Sequence, residues 1–124
     1  MLSSTKVNKI REYHEEHLFT TEGTGIEIPT RTKNALDHYA ITGRLPGHFC
    51  QAVLKNDLQK AVGRADKENQ KALVDIVKYV YNRLPINCWG SPEKVGDWSA
   101  SGGLYGKNKE YWEEVFDQEL EGVK

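Results

Sequence analysis

The 124-residue sequence predicts an all-α protein, a compact bundle of about five to six short helices. Two observations lead there. Apolar residues recur at intervals of three and four through most of the chain, the spacing that lines one face of a helix, whereas the longest alternating run is the three residues Ile26-Glu27-Ile28. Prolines and glycines also fall between the periodic segments, where helices start and stop.

The first helix is expected from Ser4 to about Leu18, with Val7, Ile10, Tyr13 or His14, and His17 or Leu18 on one face and Ser3 or Ser4 as N-cap. Thr20 to Gly25 holds no apolar residue and reads as a linker, which makes that helix an appended arm. Pro29 suits the first turn of a second helix whose face is Ala35, Leu36 and Tyr39 and whose stop is Gly43. Pro46-Gly47 opens a third, with one apolar stripe running from Phe49 and Cys50 through Leu54 and Leu58 to Val62, ending at Gly63. A fourth begins at Asp66 or at Arg64-Ala65, buries Leu73, Ile76, Val77 and Val80, and ends before Pro85. Ser91-Pro92-Glu93 has the order cap, first-turn proline, first-turn acid, and starts a short helix on which Val95 and Trp98 meet. Ser99 to Gly106 is glycine-rich and reads as flexible, before a last helix with Tyr111, Trp112, Val115, Phe116 and Leu120 above an acidic outer face. The expectation is one domain in three parts: residues 1–25, an N-terminal helix and linker; 26–98, a helical core; and 99–124, a linker and acidic C-terminal helix.

With 38% apolar and 28% charged residues the chain should be globular. Its net charge of −1 argues against a protein that coats nucleic acid through a global positive field. The charge is uneven, because residues 1–28 sum to −2, residues 29–98 to +4 and residues 99–124 to −3. A basic middle between acidic ends suits an anionic ligand or a solvated surface. Cys50 and Cys88 are too few and too isolated for a disulfide framework or a thiolate zinc site, which fits a reducing compartment. No window has the length of a signal-peptide core or a membrane span, so a cytoplasmic location with no membrane partner is expected.

Candidate chemistry lies between Asn56 and Trp98. Asp57 falls on the expected stripe of the third helix, where a carboxylate needs a partner: Arg64, Arg83, a neighbouring helix to cap, or a pocket it floors. Gly63-Arg64-Ala65-Asp66 sits at a helix junction, where free N–H groups and a guanidinium suit a phosphate or carboxylate. Gly63 and Asp66 are also explained as helix punctuation, which leaves Arg64 unexplained. Tyr81, Asn82 and Arg83 end the fourth helix and Trp89 follows soon after, the materials for stacking a planar ligand and bonding its edge. Arg44 is a further base at a helix end. His14 and His17 stand three apart, whereas the helical zinc motif needs four, so no metal is expected. The sequence holds no phosphate-binding glycine loop, no nucleophile elbow and no convincing acid and base pair, so neither catalysis nor a cofactor is expected.

The stretch from about Ile28 to Trp98 resembles a family of short proteins encoded by bacteriophages and prophages. The residues that carry the likeness are Pro46-Gly47-x-Phe49, Ala52-Val53-Leu54-x-Asn56-Asp57-Leu58, Gly63-Arg64-Ala65-Asp66-x-x-Asn69, Tyr81-Asn82-x-x-Pro85 and Cys88-Trp89-Gly90-Ser91-Pro92-Glu93-Lys94-Val95-x-x-Trp98. The resemblance implies a phage accessory role and supplies no catalytic residue. The leading expectation is a non-enzymatic anti-defence protein, a symmetric homo-oligomer that sequesters an anionic nucleotide signal, with Arg44, Arg64 and Arg83 toward phosphates and Tyr81 or Trp89 toward a base. The alternative is an inhibitor whose acidic face, around Glu110, Glu113, Glu114, Asp117 and Glu121, engages a host defence nuclease such as a CRISPR effector. A minor virion protein and an enzyme come after these.

Overall fold

A computed structural model describes residues 2–122, with side chains described as far as Gln118. Leu120 and Glu121, expected on the last helix, are therefore outside the described side chains. The described residues form nine α-helices and no strand: α1 Ser4–His14, α2 Thr30–Thr42, α3 His48–Leu54, α4 Leu58–Arg64, α5 Lys67–Lys71, α6 Leu73–Arg83, α7 Pro92–Ser101, α8 Gly103–Lys107 and α9 Lys109–Gly122, with a 3-10 turn at Ile86–Cys88. The all-α class holds, with more and shorter helices than expected.

The extra helices arise where expected ones divide. The third breaks after Leu54 because Asn56 adopts a left-handed φ of 63°. Its N–H then donates to Val53 O at 3.1 Å and the next N–H, of Asp57, donates to Ala52 O at 2.9 Å, which closes the helix as a Schellman motif. The chain restarts at once, since Asp57 Oδ1 accepts the Lys60 N–H at 3.1 Å as the N-cap of α4. This break turns the expected stripe, so Leu58 and Val62 face solvent at 65% and 49% exposure instead of the core. Gly63 lies within α4 and does not end it. The fourth expected helix divides at Ala72 into α5 and α6, and Val77 is exposed.

Helix α2 is the centre of the core. Its Leu36, Tyr39, Ala40 and Ile41 are fully buried; Gly43 ends it in a left-handed cap as the sequence predicts, and Pro29, expected in its first turn, stands just before it as the N-cap. Val7 and Ile10 of α1, and Trp112 and Phe116 of α9, belong to the same buried cluster. Both terminal helices are thus parts of the core and not appendages. The segment after α1 is also tied down, because buried Phe19 donates its N–H to Arg83 O at 2.9 Å.

Residues 99–106 are the clearest departure from expectation. Helix α7 runs on to Ser101, Gly102 and Gly103 turn the chain at φ of 83° and 69°, and α8 follows directly. Gly103 is buried against α2: a Cβ there would lie 2.7 Å from Gly43 N and from the Ile41 carbonyl. A Cβ on Gly43 would lie 2.8 Å from Ser99 O. The glycines therefore interlock two backbones, a use of glycine opposite to flexibility. No helix among the described residues is long and apolar enough to cross a membrane.

Candidate functional site

The corner between α3 and α4 frames a groove of about 540 Å³, within the size range of small-molecule sites. The tight Schellman turn and the Asp57 cap bring residues of α3 and one face of α4, Leu58, Gln59, Lys60 and Arg64, to one opening. Lys55, Lys60 and Arg64 supply cations, and Gln51 and Asn56 supply amides. Gln51 is held in place, its Nε2 donating to Pro46 O at 2.7 Å while its Oε1 accepts from Lys55 Nζ at 3.3 Å. Asp57 is the groove's one carboxylate and is committed to the α4 cap. Arg64 is exposed and has no ion pair among the described residues. Three cations against one carboxylate leave an excess of two positive charges around the opening.

The seven residues singled out by sequence fall in three places. Asp57 and Arg64 share the groove, although Asp57 caps a helix instead of pairing with Arg64 or Arg83. Tyr81 and Trp89 meet at the end of α6, with ring centroids 5.6 Å apart and planes tilted by 48°. Asn82 and Arg83 are on the same turn; the Asn82 amide donates to Lys78 O at 3.0 Å, so its donor is used within the helix. Arg83 Nε and Trp89 Nε1 are buried donors with no acceptor among the described residues. None of these four lines the α3–α4 groove. Arg44 occupies a third place, between two clefts that it shares with His38. Asp66 is punctuation, as its sequence position implies, capping α5 through Asn69 N–H at 2.8 Å and pairing with Arg31 at 2.7 Å.

The most unusual polar residue was not among those singled out. Asp37 is fully buried in α2, with Lys33 Nζ at 2.7 Å, Arg11 Nε at 3.2 Å and the Tyr79 hydroxyl donating to Oδ1. The Tyr79 hydroxyl also reaches Phe19 O at 3.2 Å. Burial first, and then the Asp37 carboxylate, push the Tyr79 pKa upward and keep the phenol protonated as a donor. The cluster ties α1, α2 and α6 together. Thr32 Oγ1 donating to Asn69 Oδ1 at 2.6 Å makes a second buried tie, between α2 and α5. The available sequence signal for Asp37 is its position: Leu36 precedes it and Ala40 and Ile41 follow at three and four residues, with Lys33 four residues before it as a helical neighbour of opposite charge.

Cys50 and Cys88 are free thiols in the core, and burial pushes their pKa values up to about 11 and about 12. Thiols held so far from the thiolate are poor nucleophiles. No cluster of three or more His, Cys, Asp or Glu suited to a metal occurs among the described residues.

The fold and its grooves define a small all-helical protein with cationic surface clefts. Comparison with protein-family models, curated proteins and solved structures finds no match for the chain.

Proposed function

We propose that this chain is a non-enzymatic binding protein of the phage accessory type, which sequesters an anionic nucleotide-type signal of bacterial immunity at the α3–α4 groove. The observation that carries the reading is the excess of two positive charges there, with the only carboxylate already engaged by a helix cap. Phosphates are placed against Lys55, Lys60 and Arg64, where charge-assisted bonds are strongest, and the Gln51 and Asn56 amides are left for the edge of a base. Among the described residues the His48 imidazole is the groove's one ring, and no Phe, Tyr or Trp lines it, so Tyr81 and Trp89 stack a base there only if a second copy supplies them. That geometry favours a symmetric homo-oligomer, in which an open groove is closed by its neighbour.

Calorimetry of the intact protein against cyclic nucleotides and ADP-ribose derivatives tests this. One member of the panel is expected to bind, with affinity at least about tenfold weaker in a Lys60→Glu, Arg64→Glu double variant, since two charge-assisted contacts are reversed. Silence across the whole panel rejects the reading.

A second reading rests on α9, where Glu110, Glu114 and Asp117 are exposed and carry no ion pair among the described residues, while Glu113 pairs only distantly with Lys109 at 3.9 Å. Such a face suits a basic groove on a host defence nuclease such as a CRISPR effector. Its mark is a salt-dependent complex with that nuclease that is lost when the three carboxylates become amides.

A further inference from the structure

The largest of the described clefts has no part in the reading above. It measures about 760 Å³ and opens where the start of α1, the end of α2, α8 and the start of α9 meet. Lys6 of α1, Arg44 of the turn after α2, and Lys109 of α9 converge on it, with His38, Tyr105 and Glu113. Glu113, its one carboxylate among the described residues, already accepts the Tyr105 hydroxyl at 3.3 Å and lies 3.9 Å from Lys109. The excess is again two positive charges, contributed by three separate segments of chain.

The convergence is built into the fold. The Gly43–Gly103 interlock fixes the end of α2 against α8, and so sets the backbone of Arg44 at the mouth of the cleft. The turn is further set by Thr42, whose hydroxyl donates to His38 O at 2.8 Å and accepts the Arg44 N–H at 3.2 Å. The Arg44 side chain itself is exposed and forms no ion pair among the described residues. Lys6 is placed at the edge by its ammonium group over the Phe116 ring, 5.1 Å from the centroid.

We propose that this cleft is a second anion site, independent of the α3–α4 groove, whose ligand is a compact dianion of the phosphate-monoester type held by Lys6, Arg44 and Lys109 and hydrogen-bonded by His38. The imidazole reports its occupancy. Burial, then the Arg44 and Arg11 charges, hold the His38 pKa below its ordinary 6.5 and leave the ring neutral at pH 7. The other charged groups around it are Lys6 of α1, Lys109 and Glu113 of α9, and its chain neighbour Asp37, which is committed to Lys33, Arg11 and Tyr79. A dianion in the cleft offsets the cations that disfavour imidazolium, so binding draws a proton onto His38.

The test is an NMR titration of His38 in the full chain, with sodium sulfate or with sodium chloride at equal ionic strength. Sulfate stays dianionic throughout the range, so it raises the His38 pKa by at least about half a unit while chloride does not. The shift is lost in Arg44→Gln, whose unchanged thermal midpoint shows that folding is intact, and is kept in Lys60→Glu, Arg64→Glu, which disables the other groove. A His38 pKa that is the same in both salts, or a sulfate shift that survives Arg44→Gln, overturns the proposal. In the Lys60→Glu, Arg64→Glu variant, tighter binding of adenosine monophosphate than of inorganic phosphate, read by the His38 shift, assigns the site to a phosphoryl group on a larger molecule; equal or weaker binding assigns it to the free anion, and no His38 shift with either overturns the proposal.

Discussion

Replacing Gly103 by alanine separates two opposite readings of one segment. A flexible Gly-rich linker would absorb a methyl group without cost. The structure instead places the new Cβ 2.7 Å from Gly43 N and from both atoms of the Ile41 carbonyl, all of them backbone atoms with no side-chain freedom to move aside. The residue also sits at φ 69°, where an L side chain costs about 1–2 kcal/mol. Relieving the overlap by shifting α8 from α2 adds roughly 1–3 kcal/mol of overpacking. The sum, about 3 kcal/mol, is a large part of the roughly 5–15 kcal/mol that holds a domain of this kind. It corresponds to a fall of about 10 °C in thermal midpoint for a chain of this length. Urea unfolding followed by far-UV circular dichroism measures it, with Gly96→Ala as the control. Gly96 lies in α7 with nothing within 4 Å of its Cβ, so alanine there is neutral or stabilising by up to about 1 kcal/mol. A Gly103→Ala protein within about 0.5 kcal/mol of wild type, well short of that overpacking cost, would refute the interlock.

Two further outcomes follow from the core. Asp37→Asn removes the only anion facing Lys33 and Arg11 in the buried cluster, and destabilises by about 3 kcal/mol, the lower end for a broken buried pair because both cations keep partial access to water; denaturant titration at pH 7 checks this, and a loss under about 1 kcal/mol would show that the cluster is not a clamp. Iodoacetamide at pH 8 should label Cys50 and Cys88 at least about a hundredfold more slowly in the folded protein than in urea, because thiol pKa values of about 11 and about 12 leave little thiolate and burial blocks access; rapid labelling of either residue in the native state would contradict that burial.

What was legible in the sequence was local. Pro29 and Gly43 frame α2, Ser91-Pro92 starts α7, and Asp66 caps α5, because a cap acts on backbone groups two or three residues away and its chemistry is written in adjacent letters. The break at Asn56 was not legible, since asparagine tolerates a left-handed φ without requiring it and Leu58 and Val62 continue the helical period of α3. Gly102-Gly103 was misleading for a related reason: glycine permits both freedom and close backbone approach, and only the presence of α2 decides between them. Asp37 draws its partners from positions 11, 33 and 79, and only the Lys33 partner is helical-neighbour distance away. The candidate site divides by the same rule. Asp57 with Arg64, and Tyr81 with Trp89, are close in sequence and come together; the expected union of the two pairs needed tertiary information and does not occur.

The near-zero net charge conceals the cationic clefts for a physical reason. Charge counting treats every ionised side chain alike, but the fold commits the acids and bases of residues 29–98 unequally. Asp37 is buried against Lys33 and Arg11, Asp57 and Asp66 cap α4 and α5, and Asp75 accepts the Glu27 N–H at 3.1 Å. A carboxylate at a helix N-terminus is already balanced by the partial positive charge of that end. Arg44 and Arg64 have no comparable partner among the described residues and open onto clefts. Positive potential at the openings therefore comes from which charges the backbone has claimed, and not from how many there are. It follows that charge reversal at Arg64 or Arg44 should weaken anion binding at its own cleft far more than removal of an equally charged residue already paired, such as Arg31 with Asp66.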